Sequence, residues 1–193
     1  WPATFCSMSA RVRFRTSFLW ASGDTDPNNK HATGFDTILD HPNFAGGDFS
    51  YWQRQAIPLF GVRLVQRQSL VPDLRSSKID GQANFVNPGL MLANFGIDMD
   101  LTPKLKMFNN VNLLWFDEVD VLKHFIFQDT VHHHIGTDLS VGFEYRPLLT
   151  NNVIARFGVS GLIPGEGFKD IYNNITGTQN PLLAGFLELN LAY

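Results

Sequence analysis

The feature that most constrains the fold is an alternation of side-chain character with a period of two. Residues 9–21 place Ala10, Val12, Phe14, Thr16, Phe18 and Trp20 on one side and Arg11, Arg13, Arg15 and Ser17 on the other. A helix would spread both sets around its circumference, whereas a strand separates them onto opposite faces. The pattern returns in residues 90–101, where Met91, Ala93, Phe95, Ile97, Met99 and Leu101 oppose Asn94, Gly96, Asp98 and Asp100. In residues 135–146, Ile135, Thr137, Leu139, Val141, Phe143 and Tyr145 oppose Gly136, Asp138, Ser140, Gly142, Glu144 and Arg146. In residues 153–163, Val153, Ala155, Phe157, Val159 and Ile163 oppose Arg156, Gly158 and Ser160. The last segment sets Leu183, Gly185, Leu187, Leu189, Leu191 and Tyr193 against Glu188 and Asn190. Residues 105–116 are strand-like as well, although Asn109 interrupts the apolar side.

These segments are longer than the ~5–6 residues of ordinary soluble strands. They match the ~9–11 tilted residues with which a strand crosses a bilayer, with some overhang. No apolar run approaches the ~20 residues of a spanning helix, and mean hydropathy is −0.07. A β-barrel is compatible with that value, because only every second residue of its strands faces lipid. The expected fold is therefore all-β: an antiparallel transmembrane β-barrel, or the C-terminal part of its wall.

Connection lengths support the same reading. Residues 102–104 and 147–152 are short turns, while 117–134 and 164–181 are long and polar. Barrels of the bacterial outer membrane have short periplasmic turns and long extracellular loops, so residues 105–116 and 153–163 run outward and the last strand runs inward. On this assignment Phe18, Trp20, Trp115 and Phe116 gather at the outer interface, and Phe143, Tyr145 and Tyr193 at the periplasmic one, as two aromatic girdles. The plainer explanation is that aromatics favour strands in general.

Residues 22–88 are harder to read. They begin as a loop, contain strand-like alternation at 58–68, and are long enough to hold an extra hairpin or a constriction inside the barrel. The whole chain, 1–193, reads as one barrel segment. Six strands fall below the ~8 of the smallest bacterial barrels, and an open sheet would leave two unpaired edges in lipid. Further strands are expected before Trp1, which opens the chain without a basic and apolar leader; a barrel closed jointly by several copies is the other solution.

The stretch Trp20-Ala21-Ser22-Gly23-Asp24-Thr25-Asp26-Pro27, followed by Gly34-Phe35-Asp36, resembles a strand end and loop of the alginate-export family of outer-membrane porins. The alternating strand that ends in Tyr193 is similar to the carboxyl-terminal signal that outer-membrane proteins present to the barrel-assembly machinery. The resemblance implies a large barrel in the bacterial outer membrane that passes a hydrophilic, often anionic, molecule. The chain is too short for the whole family barrel, and alginate itself is not carried over as substrate.

Function classes narrow accordingly. A net charge of −3 gives no basic surface for nucleic acid, and the single Cys6 excludes an internal disulfide framework. No nucleophile elbow, zinc-protease helix or haem-attachment motif is present, so neither an enzyme nor a cofactor is expected. The expected partners are the lipid bilayer, the assembly machinery and a small hydrophilic solute.

Arg11, Arg13 and Arg15 form a ladder that Arg146 and Arg156 extend; facing a lumen, these guanidiniums would attract anions. Asp98, Asp100, Asp138, Glu144 and Glu188 would line the same face and, in the plainer reading, compensate the arginines. His132, His133 and His134 are consecutive and lack a supporting Cys, Asp or Glu at ligand spacing, so a polar loop is favoured over zinc. Asp24, Asp26 and Asn28 are spaced like the start of a calcium loop, but Asn29 stands where its glycine belongs; an Asx turn is the plainer reading. Two other functions stay open: a soluble barrel carrying an apolar ligand, with its apolar face inward, and a barrel scaffold that houses a partner protein.

Overall fold

The computed structural model describes residues 11–35, 45–54, 86–176 and 180–192. The strands are β1 (Arg11–Ala21), β2 (Leu90–Thr102), β3 (Leu105–Trp115), β4 (His134–Tyr145), β5 (Val153–Pro164) and β6 (Leu182–Leu191). They form one antiparallel sheet in sequence order. All six alternating segments are thus strands, and the chain is all-β in class. Among the described residues β1 and β6 each keep one unpaired edge, so the sheet is open. Residues 58–68 and Tyr193 lie outside the described residues.

Alternation sets the two faces, and strand register carries them unbroken across the sheet. One row pairs Phe14 with Ile97, Ile97 with Asn109, Asn109 with Val141 and Val141 with Val159. On this apolar face Phe14 is 71% exposed, Phe95 50% and Phe157 40%. None of the three is buried.

Ile135 departs from its expected side. A register shift between Leu114 and Trp115 pairs Gly136 with Leu114 and His134 with Trp115, leaving Ile135 unpaired. Such a bulge re-aims one side chain, and Ile135 is buried among the core residues on the opposite face.

The two connections read as long polar loops contain helices: α2 (Asp120–Ile126) and α3 (Glu166–Thr176). A four-residue helix, α1 (Tyr51–Arg54), follows a 3-10 turn at Gly47–Phe49. The helices bury Trp52, Leu122, Phe168 and Ile171 against Leu90, Leu92, Leu114 and Leu162, which stand on the non-apolar face near the long-loop end. That end of the face is therefore a dry cap. Phe116 is fully buried in it, which corrects its place in an outward aromatic girdle: β3 ends at Trp115, and the chain then turns inward beneath the helices.

Candidate functional site

The face opposite the exposed phenylalanines is built in transverse layers, each a row of register partners. Below the dry cap comes Ser17, Asn94, Asn112 and Asp138, then Arg15, Gly96, Asn110, Ser140 and Ser160. The next row is Asp98, Phe108, Gly142, Gly158 and Phe186. The row nearest the short turns is Arg11, Asp100, Lys106, Glu144, Arg156 and Glu188, alternating in sign along its whole length. All ten charged residues expected to line a pore stand on this side of the sheet or, for Arg146, at its lower margin.

The arginine ladder is engaged rather than free. Arg15 forks onto Asp98, donating from Nε to Oδ2 at 2.8 Å and from Nη2 to Oδ1 at 2.7 Å, and Nη2 also reaches Asn110 Oδ1 at 3.0 Å. Arg13 Nη2 donates to Asp100 Oδ1 at 3.0 Å. Glu144 is buried and takes Arg146 Nε on Oε1 at 2.9 Å and Arg156 Nε on Oε2 at 3.0 Å. Arg156 Nη1 lies 4.0 Å from Glu188 Oε1. Two-point guanidinium–carboxylate bonds fix geometry as well as charge. Arg11 is exposed and, among the described residues, in no ion pair. The face presents paired dipoles rather than a bare cationic ladder, in line with the compensated reading.

Asp138 is different in kind. Its carboxylate is fully buried and, among the described residues, faces no arginine; it accepts the backbone N–H of Tyr51 on Oδ1 at 3.2 Å and that of Trp52 on Oδ2 at 3.0 Å. These are the first residues of α1, whose N–H groups have no partner inside the helix. A carboxylate there satisfies them and complements the helix dipole. Asn112 Nδ2 donates to Asp138 Oδ2 at 3.3 Å and to Ala45 O at 3.1 Å, and Asn94 Nδ2 donates to Asn112 Oδ1 at 2.6 Å. Burial first, then the nearby Asp138 carboxyl, raises the Tyr51 phenol above its ordinary pKa, so it stays neutral well past physiological pH.

Residues 45–54 therefore lie on the polar face, where Phe49 meets two of its aromatic side chains. Its ring stacks on Phe108 with centroids 4.9 Å apart and meets Phe186 at 5.2 Å. A Cβ on Gly142 would overlap the Phe49 ring. The sequence pattern did not single out Phe108 or Phe186, and it left residues 22–88 open between an extra hairpin and a constriction without marking 45–54. Part of the signal was present: Phe108 and Phe186 have the parity of the polar side, where isolated aromatics beside glycines mark a built recess.

The remaining candidates separate. Trp20 is exposed at the long-loop end, and its Nε1 donates to Asp117 Oδ1 at 2.8 Å, while Asp117 Oδ2 takes the N–H of Gly23 at 2.8 Å. Trp115 lies against His134, with ring centroids 6.0 Å apart. At the other end Phe143 stacks on Phe157 at 5.2 Å, and Tyr145 is exposed. Phe18 is exposed beside Trp20 on the apolar face.

Asp26 Oδ1 takes the N–H of Asn28 at 2.9 Å, which is an Asx turn, while Asp24 is buried and its Oδ1 takes the Thr33 hydroxyl at 3.2 Å. Asp24 and Asp26 thus each accept a hydrogen bond from within their own loop. The three histidines diverge: His132 Nδ1 pairs with Asp170 at 2.7 Å, His133 Nδ1 lies 3.0 Å from Phe116 O, and His134 packs on Trp115. Among the described residues no group of three His, Cys, Asp or Glu side chains is placed to hold a metal ion. Comparison of the chain with protein families, with curated proteins and with solved structures finds no match in any of the three.

Proposed function

We propose that this chain forms part of the wall of a transmembrane β-barrel in a bacterial outer membrane, and that its layered polar face lines a lumen passing small hydrophilic solutes. The observation that carries the reading is the contrast between the faces. The apolar side exposes Phe14, Phe18, Trp20, Leu183, Leu187 and other large side chains. In water each such side chain forgoes about 1.5–3 kcal/mol of burial, and a contiguous patch of this size marks a surface meant for another apolar phase. Among the described residues the paired rows of that face, from Val12 to Trp20 on β1 and their partners onward, hold no Asp, Glu, Lys or Arg.

The dimensions agree. The 11 residues of β3 extend about 34 Å at ~3.4 Å per residue. Tilted by ~40° they rise about 26 Å, close to the ~25 Å apolar band of outer-membrane barrels. Trp20 and Trp115 stand near one margin of the apolar side and Phe143, Tyr145 and Phe157 near the other. Hydrocarbon does not tolerate free strand edges, so the reading requires further strands beside β1 and β6.

Because Arg13, Arg15, Arg146 and Arg156 are matched by carboxylates, the lumen carries a transverse field and little fixed net charge. The reading is therefore a passage for hydrophilic solutes with weak charge preference, whereas the resemblance to alginate-export porins favours an anionic cargo. Membrane fractionation followed by reconstitution in planar lipid bilayers tests it. Expected are recovery with the outer membrane, heat-modifiable migration in detergent, and discrete conductance steps. A protein that is monomeric and stable without detergent would sink the proposal and return the soluble-carrier alternative.

A further inference from the structure

The row Phe108, Gly142, Gly158 and Phe186 crosses β3 to β6 on the polar face. The rows on either side carry side chains on β4 and β5: Ser140 and Ser160 above, Glu144 and Arg156 below. Two adjacent glycines flanked by phenylalanines leave a recess in this row. Phe49 occupies it, against Phe108 at 4.9 Å and Phe186 at 5.2 Å, directly over Gly142. A second fitting lies two rows higher, where both oxygens of the buried Asp138 carboxylate hold the first two N–H groups of α1. Asn112 ties down the other end of the same segment through Ala45 O at 3.1 Å, and the Trp52 indole closes the segment on itself by donating to Ala45 O at 3.3 Å. At Gly46, in the left-handed region with φ 91°, an added Cβ would stand 3.0 Å from Asn110 Cγ. The backbone itself is pressed onto the wall there.

Resting on the pore reading above, we propose that residues 45–54 are a seated constriction that sets the size limit of the lumen, with Phe49 in the glycine recess and Asp138 as its latch. The chemistry of the two fittings explains why the wall departs from its own pattern. A lumen wall has no need of a phenylalanine–glycine–glycine–phenylalanine row, and an aspartate with no cationic partner among the described residues is costly to bury unless it is fully hydrogen-bonded. Both features are accounted for once the occupant is this segment of the same chain. Phe49, Gly142 and Asp138 are then size-determining residues, while the charged rows beneath set the field a solute meets. Solutes too bulky to pass the segment are excluded whatever their charge.

The test uses the full protein reconstituted in planar bilayers and in liposomes, with potassium chloride and neutral sugars of graded size as probes. Phe49→Gly empties the recess from the segment side and leaves every strand untouched. Gly142→Leu fills the recess from the wall side. Phe49→Gly is expected to raise single-channel conductance about two-fold or more and to admit larger sugars, and Gly142→Leu, which drives the ring off the wall, to lower conductance and exclude smaller sugars, because conductance and access follow the narrowest ring. Heat-modifiable migration checks that the variants have assembled. If Gly142→Leu fails to assemble, Phe49→Gly alone decides. Conducting wild type with an unchanged Phe49→Gly variant overturns the constriction and leaves the pore standing. Correctly assembled wild type that never conducts overturns the pore reading, and the constriction with it.

Discussion

Asp98 and Asp138 stand two rows apart on the same face, yet they play different parts. Asp98 is matched by a guanidinium fork from Arg15, and Asp138 is held by backbone N–H groups from a segment far away in sequence. For the first, Arg15→Met should cost about 1–3 kcal/mol, the loss of charged hydrogen bonds, read by urea unfolding in detergent micelles. Adding Asp98→Leu should recover part of that loss, because the pair removed together leaves no orphaned charge; an additive loss would mean the two do not act as a pair. For the second, Asp138→Leu should leave assembly of the sheet intact and expose the chain near residues 45–54 to protease. Unchanged digestion would deny Asp138 its latching part. The ion pair was legible as a set of compensating residue types. The cap was not, because Tyr51 and Asp138 share no local pattern and meet only through the fold.

At the scale of elements, strands were legible and helices were not. Each strand carries its evidence in about ten consecutive residues, since the period of two depends on nothing outside the segment. The helices α2 and α3 sit in connections that look polar on average. In α3 the spacing of Phe168, Ile171, Tyr172 and Ile175 is helical, a signal that averaging conceals. Ile171 lies fully buried beneath the cap, so Ile171→Ala should cost about 2–4 kcal/mol through the cavity it leaves. Strand content by circular dichroism should stay unchanged. A loss of strand signal would show that the helix supports the sheet itself rather than its end. On the opposite face, Phe14→Arg places a cation in the middle of an uncharged row and should cost about 2–4 kcal/mol of membrane stability. Normal assembly of that variant would count against lipid contact there.

For the whole molecule, the order of layers matters more than any one residue. A dry cap, an amide layer, a recess filled from within the chain and a row alternating in charge follow one another down a single face. On the proposed pore reading, net selectivity should therefore be small in the native protein. Replacing Arg11, Arg13 and Arg15 together with Glu should shift reversal potentials toward cations and also weaken the sheet, since Asp98 and Asp100 lose their partners. A cation shift without loss of stability would mean that these pairs are dispensable to the fold, and no shift at all would remove them from the conduction path.

Residue order alone determined which side chains share a face and which six segments are strands in the described sheet, because a strand's period is a local property of the backbone. Tertiary structure decided what meets those faces. The bulge that turns Ile135 inward, the burial of Phe116 and the seating of Phe49 over Gly142 each depend on contacts between distant segments, and no short window of residues encodes a distance across a sheet.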